Sequence, residues 1–181
     1  MIIKPGDLLI STPNVMGDVN FHRSVIIITE CTENSVMGFM LNKRIKYLLN
    51  EIVNDIKFSF PVYYGGPVES NNLFYLFNSK VKIGGSEIIS KNLFCGGNFK
   101  ELINNINENK IDSKEIKFFL GYSGWSINQL ENEIDEKSWE IVSNNDDIFS
   151  FDEKNIWRNS LKSIGNKYLL WINSPENPIN N

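Results

Sequence analysis

The run from residue 116 to residue 130 constrains this chain more than any other, because it sets a strand, a joint and a helix start side by side. Ile116, Phe118, Phe119 and Leu120 have strand composition and lead into Gly121-Tyr122-Ser123-Gly124-Trp125. Ser126 then stands at an N-cap with Gln129 three residues on, and Trp125 faces Leu130 across the cap. A capping box and a hydrophobic staple thus coincide and place the helix start at Ser126. Ile127, Leu130 and Ile134 continue the apolar face, which leaves Glu131, Asn132, Glu133, Asp135 and Glu136 mostly toward solvent. A strand that feeds directly into an amphipathic helix requires a core shared by both kinds of element.

The remaining periodicities predict the partners. Residues 7–12, 23–30 and 35–41 read as strands, and the unbroken Val25-Ile26-Ile27-Ile28 predicts one buried on both faces. A loop at 13–22 carrying Gly17-Asp18 separates the first two. Leu48, Leu49, Ile52, Val53 and Ile56 repeat with helical spacing. Residues 60–64, the turn Gly65-Gly66-Pro67 and residues 73–77 make a hairpin plausible. An irregular β segment at 83–94, broken by Gly84-Gly85, precedes a helix capped by Asn98 with Glu101 reaching back. Residues 139–142 read as a strand, 155–164 as a helix ended by Gly165, and 168–172 as a last short strand. Strands and helices mingle without a βαβ rhythm, which predicts an α+β fold and a single domain over 1–181.

At 181 residues a chain of this kind buries about 70% of its unfolded surface without staples. With 18 basic against 22 acidic residues the net charge is -4, the reverse of a nucleic-acid footprint, so no direct nucleic-acid partner and no tight sequence-specific DNA binding are expected. The two cysteines, Cys31 and Cys95, lie far apart and His22 is the single histidine, so no Cys/His metal site is expected and the thiols read as free. No secretory h-region and no apolar run of membrane-spanning length is visible, which predicts a cytoplasmic protein without a membrane partner. Asparagine is frequent, with pairs at 104–105 and 144–145 and a tail ending Asn180-Asn181, and reads as solvated surface.

Chemistry motifs are sparse. In Gly121-Tyr122-Ser123-Gly124 the second glycine follows the serine immediately, so the run is not a nucleophile elbow. Gly65-Gly66-Pro67 lacks the spacing of a phosphate-binding loop and reads as a tight turn. Asp18 near His22 could serve as acid and base, but an Asx turn is the simpler reading. No catalytic residue, metal or cofactor is assigned.

Five blocks taken in order resemble one family. They are Gly6-Asp7-Leu8-Leu9-Ile10-Ser11; Asp18 with Phe21, Ser24 and Val25; Gly38 with Asn42; Val62-Tyr63-Tyr64-Gly65-Gly66-Pro67-Val68; and Gly121-Tyr122-Ser123-Gly124-Trp125-Ser126 with Gln129, Leu130, Glu131, Glu133 and Trp139. This pattern is similar to the bacterial YqgE/AlgH family. The resemblance implies a bifurcated β-sheet, partly closed into a small barrel and surrounded by helices. Members carry the label of transcriptional regulator, without a characterised biochemical activity. Where many members have alanine this chain has Ser123, so Ser123→Ala is expected to change little while Ser126→Ala loses an N-cap. Where many have Leu-His it has Leu76-Phe77, and Asn72 replaces a common arginine.

Element ends and the resemblance together predict one site lined or supported by Asn42, Tyr122, Trp125, Gln129 and Glu133, with Gly65, Gly66, Pro67 and Asp18. Local causes suffice for most of these residues. They do not account for Asn42 at the end of an apolar strand or for Glu133, which has only Lys137 one turn away. The motif residues are mostly amides, glycines and aromatics, which favours a ligand- or protein-binding module acting indirectly on transcription over an enzyme of unknown reaction in the same cleft.

Overall fold

The computed structural model describes residues 3–15, 18–144 and 147–174. Gly17 of the first loop, Asn145 and the asparagine tail lie outside the described residues.

Ten strands, β1 (Leu8–Ser11), β2 (Val25–Cys31), β3 (Ser35–Met40), β4 (Arg44–Leu48), β5 (Pro61–Tyr64), β6 (Val68–Phe77), β7 (Glu87–Ser90), β8 (Leu93–Cys95), β9 (Ile116–Ser126) and β10 (Trp139–Val142), join in one sheet. Five α-helices among the described residues accompany them: α1 (Leu49–Ile52), α2 (Phe99–Asn107), α3 (Ile127–Asp135), α4 (Ile156–Ile164) and α5 (Leu169–Ile172). The main path runs β10-β1-β2-β3-β9-β6-β8-β7, and β5 joins β9 and carries β4 as a side branch. All pairs are antiparallel except β5 with β9. The fold is therefore mixed α and β around a large, mainly antiparallel sheet that forks at β9.

The sheet does not close into a barrel, contrary to the expectation from the family resemblance. Closure needs the two edge strands to pair, whereas the path ends at β10 and β7. On β10, Glu140 instead accepts hydrogen bonds from Lys167 Nζ and the Tyr168 hydroxyl, each at 2.5 Å, so the segment before α5 packs against that end.

Alternation along the strands divides the core. Leu8, Ile10, Val25 and Ile27 point to one face, beneath Ile156, Trp157 and Leu161 of α4 and Ile172 of α5. Leu9, Ile26 and Ile28 point to the other, where Leu130 of α3 meets Trp125 and Trp139. At the far end of that strand system Val62, Tyr75, Phe77 and Phe118 pack on Leu49 of α1 and on Leu102, Ile103 and Ile106 of α2. Val25 through Ile28 are fully buried, as a strand covered on both faces requires.

Several local expectations change. β5 and β6 form no hairpin: β5 pairs with one edge of β9 and β6 with the other, so Gly65-Gly66-Pro67 carries the chain across β9. The crossing brings two backbones into contact. A Cβ on Gly65 would stand 2.1 Å from the Gly121 carbonyl oxygen, and one on Gly66 2.3 Å from the Tyr122 carbonyl. Gly121 is itself at φ +69, a conformation open mainly to glycine. The helical spacing after Tyr47 yields only the single turn of α1, and the last expected strand is instead helical turn, ending in α5.

Candidate functional site

Helix α3 begins where the sequence placed it. The Ser126 hydroxyl oxygen accepts from the Gln129 backbone N–H at 3.2 Å, with Trp125 and Leu130 in one apolar cluster beside it. The reciprocal half of the capping box is missing, because the Gln129 side chain turns forward and donates to Glu133 Oε1 at 2.8 Å. The other oxygen of Glu133 accepts two indole N–H groups, from Trp125 at 2.9 Å and from Trp139 at 2.7 Å. One half-buried carboxylate thus answers two buried indoles, which would otherwise be left as unmet donors. The two rings meet edge-on at 5.7 Å between centroids, and Phe21 packs on both at 5.7 and 5.5 Å.

This cluster forms the wall of a cleft of about 270 Å³. Gln129 and Glu133 enter from α3, Ser138 and Trp139 from the start of β10, and Asn14, Val15, Asp18 and Phe21 from the loop after β1. The loop is held in place by its own polar groups. Asp18 Oδ1 accepts from the Asn20 backbone N–H at 2.9 Å, the Asx turn that the sequence favoured, and the Asn14 carboxamide donates to the Glu136 carbonyl at 2.9 Å. No lysine or arginine lines the cleft among the described residues, whereas Asp18 and Glu133 both do. Burial and the nearby Asp18 carboxylate push the Tyr64 hydroxyl above its usual pKa.

The other expected site residues lie elsewhere. Asn42 bridges the entrance to β2: its carboxamide donates to the Arg23 carbonyl at 2.8 Å and accepts from the Val25 N–H at 3.0 Å. Gly65 and Gly66 are buried at the crossing, Pro67 is exposed beside it, and Tyr122 packs edge-on against Phe74 at 5.7 Å. Neither Asn42 nor the crossing contributes to the lining of the cleft. The expected group therefore separates into a cleft with Asp18, Gln129 and Glu133, Trp125 holding that carboxylate from behind, a backbone crossing, and a strand-entry bridge. Phe21 and Trp139 were in the family motif yet absent from the expected site. They reach the face shared by Gln129 and Glu133 through tertiary packing, so their place in the family motif was the one signal in the sequence.

Ser123 is fully buried and its hydroxyl donates to the Gly65 carbonyl at 2.9 Å, so it is a strut of the crossing. Among the described residues, no three or more His, Cys, Asp or Glu side chains gather as a metal site, and no helix is long and apolar enough to cross a membrane.

The model of the AlgH-like family, DUF179, matches residues 8–169. The chain belongs to this family. Its relatives include a UPF0301 protein from Bacteroides thetaiotaomicron, 38% identical over 96% of this chain and 89% of its own, and one from Cytophaga hutchinsonii, 35% identical over 98% of each. Among solved structures, the crystal structure of DIP2367 from Corynebacterium diphtheriae superposes with a TM-score of 0.75 at 18% identity, covering 97% of this chain and 94% of that one. The solution structure of AlgH from Pseudomonas aeruginosa gives 0.70 at 23% identity, covering 94% of both. At such identities the two structures speak for the AlgH-like fold alone.

Proposed function

We propose that this AlgH-like chain is a cytoplasmic binding module whose cleft between α3 and the loop after β1 receives a positively charged group, on a small molecule or on a partner protein, and that any effect on transcription is indirect. The observation that carries the reading is the pairing of two carboxylates, Asp18 and Glu133, with the aromatic residues Phe21 and Trp139 in one cleft that no lysine or arginine lines among the described residues. Aromatic faces and carboxylates both attract ammonium and guanidinium groups. Glu133 is anchored by three N–H donors, so the cleft is shaped before a ligand arrives. The net charge of -4 supports a cationic partner over a nucleic acid.

The test is a thermal-shift panel of butylamine, lysine methyl ester, arginine methyl ester and choline against glutamate and glucose. A ligand at about 100 times its Kd adds about 2.7 kcal/mol of stability. The reading expects stabilisation by cations only, weakened in Asp18→Asn. Stabilisation by anions alone, by no member of the panel, or to the same degree in Asp18→Asn overturns it.

A further inference from the structure

A second cleft, of about 360 Å³, opens where the turn between β7 and β8, the end of β6 and the segment before α4 meet. Its polar lining is Asn78, Ser90, Lys91, Asn92, Asn144 and Asp147, and half-buried Phe149, which packs on the core, forms part of the wall. Ile148, 3% exposed, plugs that last segment into the core, so the wall is fixed rather than hanging free. The side-chain carboxamides of Asn78 and Asn92 make no hydrogen bond to another described residue. They contrast with Asn42 and Asn107, whose carboxamides each donate to one backbone group and accept from another.

We propose that this cleft is a binding site for an uncharged, hydroxyl-rich ring, a sugar or cyclic polyol, separate from the α3 cleft. A carboxamide donates through its nitrogen and accepts through its oxygen at a fixed spacing, and a pair of neighbouring hydroxyls does the complementary thing. Two such amides, with the Ser90 hydroxyl, match a ligand carrying many hydroxyls better than one carrying a charge. Lys91 and Asp147 cancel in formal charge, so the lining favours neither anion nor cation. The Phe149 ring offers an apolar surface to the C–H face of such a ring, and the volume falls within the range of small-ligand sites. The frequent asparagines, read from the sequence as solvated surface, acquire a function at these two positions.

Backbone amide spectra of the intact chain, titrated with D-glucose, D-mannose, D-galactose and myo-inositol, test the assignment, with glucose 6-phosphate and butylamine as charged controls. The proposal expects at least one neutral compound to give saturable shifts at Asn92, Leu93 and Phe149, with a Kd of about 1 mM. Asn92→Ala sits in an exposed turn and is expected to weaken binding about tenfold with the rest of the spectrum unchanged. Phe149→Leu, which keeps an apolar side chain in the wall, is expected to weaken it several-fold. Asp18→Asn is expected to leave these shifts intact, which separates this site from the α3 cleft. No saturable shift with any neutral compound, binding of the phosphorylated sugar alone, or shifts unaltered in Asn92→Ala overturns the proposal.

Discussion

Glu133 shows how one residue can look unexplained in a sequence and be fully employed in a fold. Its partners, Trp125 and Trp139, are eight positions before it and six after it, and no helical spacing connects all three. Replacing it by alanine removes the acceptor of two buried indole N–H groups, and each stranded donor costs about 1 to 3 kcal/mol. Glu133→Ala is therefore expected to lower unfolding stability by about 2 to 6 kcal/mol. Urea denaturation reads this out, and a loss below about 0.5 kcal/mol, the level of an ordinary surface change, would show that the carboxylate is not the indoles' partner. Cys95 gives a pH signature. Burial pushes its thiol from 9.0 up to about 12, so above pH 9 the unfolded chain releases this proton while the folded one keeps it. Its contribution is complete below pH 9 and is lost as pH rises toward 12, at about 1.4 kcal/mol per pH unit. Cys31 acts in the same sense, whereas Lys117, whose burial lowers its pKa, acts oppositely. Only the difference between Cys95→Ala and the parent isolates Cys95. That difference is expected to shift in favour of the variant between pH 9 and 10, and parallel pH profiles would contradict it.

At the scale of elements, what was local was legible. The start of α3, the N-cap of α2 at Asn98 and the end of α4 at Gly165 each depend on neighbours within four residues. The crossing was not legible, because Gly65-Gly66-Pro67 and Gly121-Tyr122 have the composition of turns and only their mutual contact makes them otherwise. For the same reason β9 runs through Gly121 and Gly124 to Ser126 instead of stopping at Leu120. Asn42 donates to the carbonyl of Arg23, which stands at φ +50, a contact that sequence spacing could not reveal. The crossing revises one expectation drawn from the resemblance. Ser123→Ala removes a buried hydrogen bond to Gly65, although that carbonyl keeps the Met40 N–H at 3.1 Å. Both Ser123→Ala and Ser126→Ala are now expected to cost about 1 kcal/mol, for different reasons. Chemical denaturation of the pair checks this, and a neutral Ser123→Ala would return the hydroxyl to the role of spectator.

Across the whole molecule, the α+β class and the single family spanning most of the chain were readable, while barrel closure was not, since it depends on how the two sheet ends meet. β9 has partners along both edges and anchors both branches, whereas β7, β10 and β4 each have one partner. Amide hydrogen exchange is expected to be slowest in β9, β2 and β3 and fastest in β7, where Ile88 is 75% exposed at the sheet edge. Equal protection of β7 and β10 with β9 would indicate that the edges pair after all. The candidate site was legible only in its α3 portion, because Gln129 and Glu133 share a helical face, whereas the loop carrying Asp18 and Phe21 reaches it through tertiary packing. The indole N–H resonances of Trp125 and Trp139 report directly on the proposed binding of a cation in this assembled cleft, because both bond the Glu133 carboxylate. Titrating the chain with lysine methyl ester while following these two resonances is expected to shift both along one saturable curve, with glutamate producing no change. Unmoved indole resonances at saturating ester, or equal movement with glutamate, would overturn the proposed cation site.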